Sequence, residues 1–260
     1  MRHVLLLPGI LLSLLFASVP AGAIKKVPYP EITVRGLPVF KGDPALNDLR
    51  KRLAAAVAAK DADAAAALAA PNFEWTAGGV PVDDFDPKRD AAHNFKVAFG
   101  FRPAGKDADG PTDVGPQWEL LNFFAADETL TQEPNSTLVC GSTIAKVTDE
   151  AALEEALQRV DEPDDLSEWV YTLGEITLTT APDGGGTVAK VKSVAMPITA
   201  VHPEPSGDGN APAPTHFELL LPSGQSGWTP VEGLRPLFID RLCFAKVGDE
   251  WKIALYDQSE

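Results

Sequence analysis

The 260-residue sequence predicts an α+β fold, with a helix-rich N-terminal half followed by an antiparallel β-rich C-terminal half. Three observations predict it. Apolar residues recur at helical spacing in several stretches between residues 44 and 165. Beyond residue 166 the spacing changes to every second residue, in runs rich in β-branched and aromatic side chains. Between the two, residues 161–165 (Asp-Glu-Pro-Asp-Asp) break the last helical pattern with a proline among acids. This assigns residues 44–165 to a helix-rich domain and residues 166–260 to a β-rich one.

Taken in order, the chain opens on Met1-Arg2-His3, an apolar stretch over residues 4–19, and Ala21-Gly22-Ala23. One basic residue, a short apolar run and an Ala-x-Ala ending read as a secretory signal peptide, residues 1–23. Pro8-Gly9 interrupts the run and it is short for a membrane span, so no span is expected after cleavage. Residues 24–43 carry Pro28, Pro30 and Pro38 and read as an extended lead-in. Asp43-Pro44 opens a helix, with the acid at the cap and proline in the first turn. Leu46, Leu49, Leu53 and Val57 stripe one face of it. Asp61 begins a second, Ala-rich helix that Pro71 stops, and Phe73-Glu74-Trp75-Thr76 reads as a strand before a Gly78-Gly79 turn. Asp86-Pro87 repeats the opening device for a helix to about Phe99, with Phe95 and Phe99 stacked. Residues 106–116 read as a polar loop. Residues 117–126 form a helix with Trp118, Leu121 and Ala125 inward, and residues 151–160 another with Leu153, Ala156, Leu157 and Val160 on one stripe.

Strands are then expected at 169–173, 176–178 and 188–195, with a turn at Pro182-Asp183-Gly184-Gly185-Gly186. At the end, residues 241–247 and 251–256 flank a Gly248-Asp249-Glu250 turn. Trp251, Ile253 and Leu255 share one face of the last strand by the period of two, and Cys243, Ala245 and Val247 share a face of its partner. The pair reads as an antiparallel hairpin with one face buried.

The formal net charge of −15 argues against nucleic acid and anionic lipid surfaces as partners. Two cysteines, Cys140 and Cys243, in a chain read as exported are expected to form a disulfide, since export leads to an oxidising compartment. The bridge closes a loop of about 100 residues and, in the chain-entropy account, stabilises by about 4–5 kcal/mol. It ties the end of the helical half to the C-terminal strands.

Phe217-Glu218-Leu219-Leu220-Leu221 leads into a Pro222-Ser223-Gly224 turn and then Gly227-Trp228-Thr229-Pro230-Val231. Gly227 lets the chain approach a neighbour closely, and Trp228 covers the exposed backbone. This pattern resembles the C-terminal half of bacterial SH3-like (SH3b) domains. The resemblance covers residues 188–237, rests on Gly224, Gly227, Trp228 and Leu234, and is interrupted by a Pro- and Gly-rich insert over residues 202–215. It implies that the C-terminal half closes into a small antiparallel β barrel. It also implies a binding role toward a peptide or cell-wall component, with Trp228, Phe217 and His216 as the ligand surface. A second resemblance is to NTF2-like cone domains, carried by the two opening helices, Phe73-Glu74-Trp75-Thr76 and the final Trp251-Lys252-Ile253. It implies a small-molecule pocket, for binding or for hydrolase chemistry. The two differ in an observable. The first keeps Trp251 inside a C-terminal barrel, and the second pairs its strand with the Trp75 strand around the first helix.

No constellation of catalytic residues emerges. Asp90 and His93 stand three apart on a helix and could form an acid-oriented base, but no nucleophile accompanies them. Ser226 sits in Gly-Gln-Ser-Gly, which lacks the last glycine of a nucleophile elbow. His93, His202 and His216 show no zinc spacing, and the latter two meet only if the insert folds back. Asp107, Asp109 and Asp113 fail the EF-hand spacing, and Asp83, Asp84 and Asp86 read as a solvated cluster. Asn135-Ser136-Thr137 is a glycosylation sequon. No metal or cofactor is expected. The sequence thus reads as an exported bacterial envelope protein, periplasmic or secreted, with a non-enzymatic binding role.

Overall fold

Asp43 sets the first helix as its side chain accepts a hydrogen bond from the Ala45 amide at 2.9 Å, ahead of Pro44. The computed structural model describes residues 26–101, 116–142, 144–160, 169–204 and 212–259. The signal peptide, the Asp107/Asp109/Asp113 cluster, the break at 161–165 and half of the 202–215 insert lie outside them.

The elements in chain order are β1 (Ile32–Gly36), α1 (Pro44–Ala59), α2 (Ala62–Ala66), β2 (Ala69–Ala77), β3 (Val80–Pro81), α3 (Ala91–Ala98), α4 (Trp118–Ala126), β4 (Val139–Cys140), β5 (Ala145–Val147) and α5 (Glu150–Val160). Next come β6 (Trp169–Ala181), β7 (Gly184–His202), β8 (His216–Leu220), β9 (Ser226–Pro230), β10 (Arg235–Pro236), β11 (Arg241–Val247) and β12 (Glu250–Gln258).

A helix-rich half followed by a small antiparallel barrel is not what forms. The described residues are mostly β, in two sheets, with five short helices. Both sheets draw on both halves of the chain. The five-stranded sheet runs β3-β2-β12-β11-β4, and the seven-stranded sheet β10-β6-β9-β8-β7-β1-β5. The physical reason is the destination of the last hairpin. β12 lies parallel to β2, with Tyr256 opposite Trp75, so the chain's end completes the sheet that its beginning started. β1 and β5 in turn join the sheet of the C-terminal strands through β7.

The five-stranded sheet is covered by α1 to α4. The α1 stripe of Leu46, Leu49 and Leu53 is fully buried against it. Phe95, Phe99 and Phe124 fill the space beneath, with Phe99 stacked on Tyr256 at 4.6 Å and tilted against Phe95 at 4.7 Å. The last hairpin departs from simple alternation. A register shift between Ile253 and Leu255 turns Leu255 half outward and buries Tyr256. In β11 the core face is Leu242 and Phe244, while Cys243 faces Cys140 across the sheet. Two helices are shorter than their patterns. The second ends at Ala66 because Ala69 and Ala70 are taken into β2, and the third begins at Ala91 behind its cap Asp90, with Asp86 instead capping the turn before it.

Asp43 also joins this core. Its second oxygen accepts from the Trp251 indole at 2.9 Å and from Lys246 at 3.2 Å. The Trp251 bond first, and then the Ala45 amide, hold the carboxyl below the usual carboxylate range, outweighing a small opposing effect of burial. A depressed folded pKa contributes stability that is present above the ordinary carboxylate range and lost as pH falls through the folded value. Asp43→Asn should therefore flatten the loss of stability between about pH 7 and about pH 3. Urea unfolding at the two pH values checks this, and an equal acid loss in both proteins would refute it.

In the other sheet, β6, β7, β8 and β9 close on themselves, as β6 is bonded to both β7 and β9. Leu178, Val194, Met196 and Leu219 fill the interior. Closure depends on Gly227, where an added Cβ would lie 2.8 Å from the Leu178 Cβ. α5 packs Leu153, Ala156 and Val160 onto β1 in a separate apolar cluster with Trp169 and Tyr171. The residues from 144 to 239 are thus inserted between β4 and β11, whose partners Cys140 and Cys243 form a disulfide.

Candidate functional site

The β8–β9 hairpin positions the predicted ligand residues. Its turn carries Gly224 at φ 82°, tight against Pro28 of the lead-in. Alternation then sorts the side chains. Phe217, Leu219, Gly227 and Thr229 are paired in register across the hairpin, with Phe217 and Leu219 packed into the closed ring. His216, Glu218, Ser226 and Trp228 take the opposite, outer face. His202 of β7 is the register partner of His216. Its ring lies 6.2 Å from that of Trp228, edge-on, and 6.4 Å from that of His216. The structure therefore puts Trp228 and His216 on one face, each beside His202, and places Phe217 on the other side of the sheet. In the sequence His202 marks only a boundary of the insert, and its place in the register is what adds it to the cluster.

Beside this aromatic cluster stands a polar one. Glu218 accepts from Lys26 at 3.0 Å, Ser226 at 2.7 Å and Thr199 at 2.6 Å. Lys26 also donates to the Ser226 hydroxyl at 2.9 Å. Burial pushes the Glu218 carboxyl up, but the Thr199 and Ser226 hydroxyls and the Lys26 ammonium together outweigh it and hold it below the usual range. Glu218 is thus a fixed anion beside Trp228. Tyr29, buried, donates to the Leu220 carbonyl at 2.7 Å and pins the lead-in to the same strand.

Asp90 does not orient an imidazole through the oxygen that is engaged. That oxygen accepts from the His93 backbone amide at 2.7 Å, as the N-cap of α3. Ser226 meets Lys26 and Glu218. Both cysteines are bonded to each other. Among the described residues no group of three or more His, Cys, Asp or Glu side chains converges as a metal cage would require.

A cleft of about 310 Å³ lies where the two sheets meet. Leu37, Val147, Leu153 and Phe238 give it an apolar wall, and Arg241 and Asp257 a polar end. Arg241 is held by Asp257 at 2.9 Å, and Asp257 also accepts from Thr76 and from the Gly79 amide. Among the described residues no helix is long and apolar enough to cross a membrane.

Comparison with protein-family models, with curated proteins and with solved structures finds no match to this chain.

Proposed function

We propose that this is an exported bacterial envelope protein, periplasmic or secreted, that binds a peptide or cell-wall component without catalysing a reaction. The observation that carries this reading is the outer face of β7–β9. Trp228 is part-buried there, with the His202 ring edge-on at 6.2 Å, His216 on the far side of His202 and the fixed carboxylate of Glu218 at its register partner. An indole with a part-open ring beside hydrogen-bonding groups suits a sugar ring or an extended peptide. The disulfide and the leader-like N-terminus support export. The resemblance of residues 188–237 to SH3b domains supports a binding role.

Pull-down on purified envelope fractions tests the reading, with wild-type protein and Trp228→Ala side by side. Wild type should retain a peptide or peptidoglycan component, and the variant should bind it about tenfold or more weakly. Equal retention by both would refute it.

A second reading is favoured by one observation. β12 pairs with the Trp75 strand beneath α1, the arrangement that the NTF2-like resemblance implies. Under that reading the ligand is a small molecule. With Phe95, Phe99, Phe124 and Tyr256 filling the space under the helices, it would occupy the cleft between the sheets.

A further inference from the structure

We propose that His202 and His216 form a chelating pair for a divalent late transition metal, independent of the ligand reading for Trp228. The two are register partners on adjacent antiparallel strands, so both imidazoles rise from one face at neighbouring positions. Thr215 links them. Its hydroxyl donates to the His202 carbonyl at 3.2 Å, which consumes its only proton. The same oxygen stands 3.1 Å from His216 Nδ1 and accepts from it when the Nδ1–H tautomer is present. In that tautomer Nε2 keeps its lone pair for a ligand. This is the arrangement by which a ligating imidazole is oriented, its other nitrogen donating to a fixed oxygen.

The ring separation lies close to what an ion requires. With a metal–nitrogen bond of about 2.0–2.1 Å, two rings on one ion span at most roughly 6.4 Å between centres, and about 5 Å at a tetrahedral angle. The observed separation of 6.4 Å is at the outer limit, and both rings are only part-buried. A rotation that moves them about 1 Å together closes the site. Glu218, two residues along β8, is occupied by Lys26, Ser226 and Thr199, so it is not a third ligand. The pair is thus a two-nitrogen site whose remaining positions go to water or to a donor atom of a bound molecule. Neutral imidazoles without carboxylates select zinc, nickel or copper over calcium and magnesium.

Calorimetric titration of untagged, full-length mature protein with nickel and zinc chloride tests the proposal. One equivalent should bind wild type. His202→Ala and His216→Ala should each weaken it by about tenfold or more, and Thr215→Val less severely, in line with loss of an orienting partner. The titration contains no envelope component and the pull-down no added metal, so failure of the envelope-ligand reading and failure of this one are read separately. Absence of binding in wild type would overturn the proposal. So would binding that survives either histidine substitution, since a lone imidazole or a different site would then account for it. Far-ultraviolet dichroism of each variant confirms that these part-exposed replacements leave the fold in place.

Discussion

Replacing both Cys140 and Cys243 with alanine is expected to lower the unfolding free energy by about 4–5 kcal/mol, the effect of opening a cross-link between residues 103 positions apart. The bridge sits at a particular place. Cys140 and Cys243 are partners in the β4–β11 ladder, at the two points where the chain leaves the five-stranded sheet and returns to it. Between those points lie α5 and β5 to β10. In the folded protein the ladder already holds the two points together, so loss of the bond should act chiefly on the unfolded chain. Two readouts report the loss. The midpoint of denaturant unfolding under non-reducing conditions falls, and the slope m rises, because an unfolded chain without the link exposes more surface. Alanine is the right replacement, since Cys243 is fully buried and a serine hydroxyl there would add a penalty of its own. A loss below about 1 kcal/mol would show that the link does not restrain the unfolded chain.

The cysteine pairing is legible in the sequence because two cysteines allow one intramolecular pairing. The first helix is legible because Asp43, Pro44 and the leucine stripe agree with one another, and all are local. The sheets are not. Period two tells which face a strand buries but carries nothing about its partner. The pairing of β12 with β2 joins residues near 255 to residues near 75 and leaves no local mark. That pairing, together with that of β1 with β7, is what turns a chain of helical and strand stretches into two interleaved sheets. The bulges in the last hairpin have the same character. They exchange Leu255 for Tyr256 at the core, and no spacing rule announces an inserted residue. At the candidate site the alternation rule itself contains the correction. Adjacent residues on a strand take opposite faces, so His216 and Phe217 cannot line one surface. His202 needs the register across the insert, which only the fold supplies.

Tyr256→Ala is expected to cost about 3–5 kcal/mol, the range for removing a buried aromatic ring. The ring is fully buried, stacks on Phe99 at 4.6 Å and meets Phe124 edge-on at 6.1 Å. Its hydroxyl donates to Asp240 at 2.7 Å. Burial first, then the hydrogen bond and charge of Asp240, push the phenol above its usual range, so it remains a donor at any ordinary pH. Tyr256→Phe separates the two contributions. It keeps the ring and leaves Asp240 with the bonds from Ser259, for an expected loss of about 1 kcal/mol. The ratio of the two losses tests the architecture as well as the contact. If the last strand were peripheral to the N-terminal sheet, the alanine variant would lose little more than the phenylalanine one. A last strand that forms the floor on which the first helices pack requires a large excess, measured by denaturant unfolding.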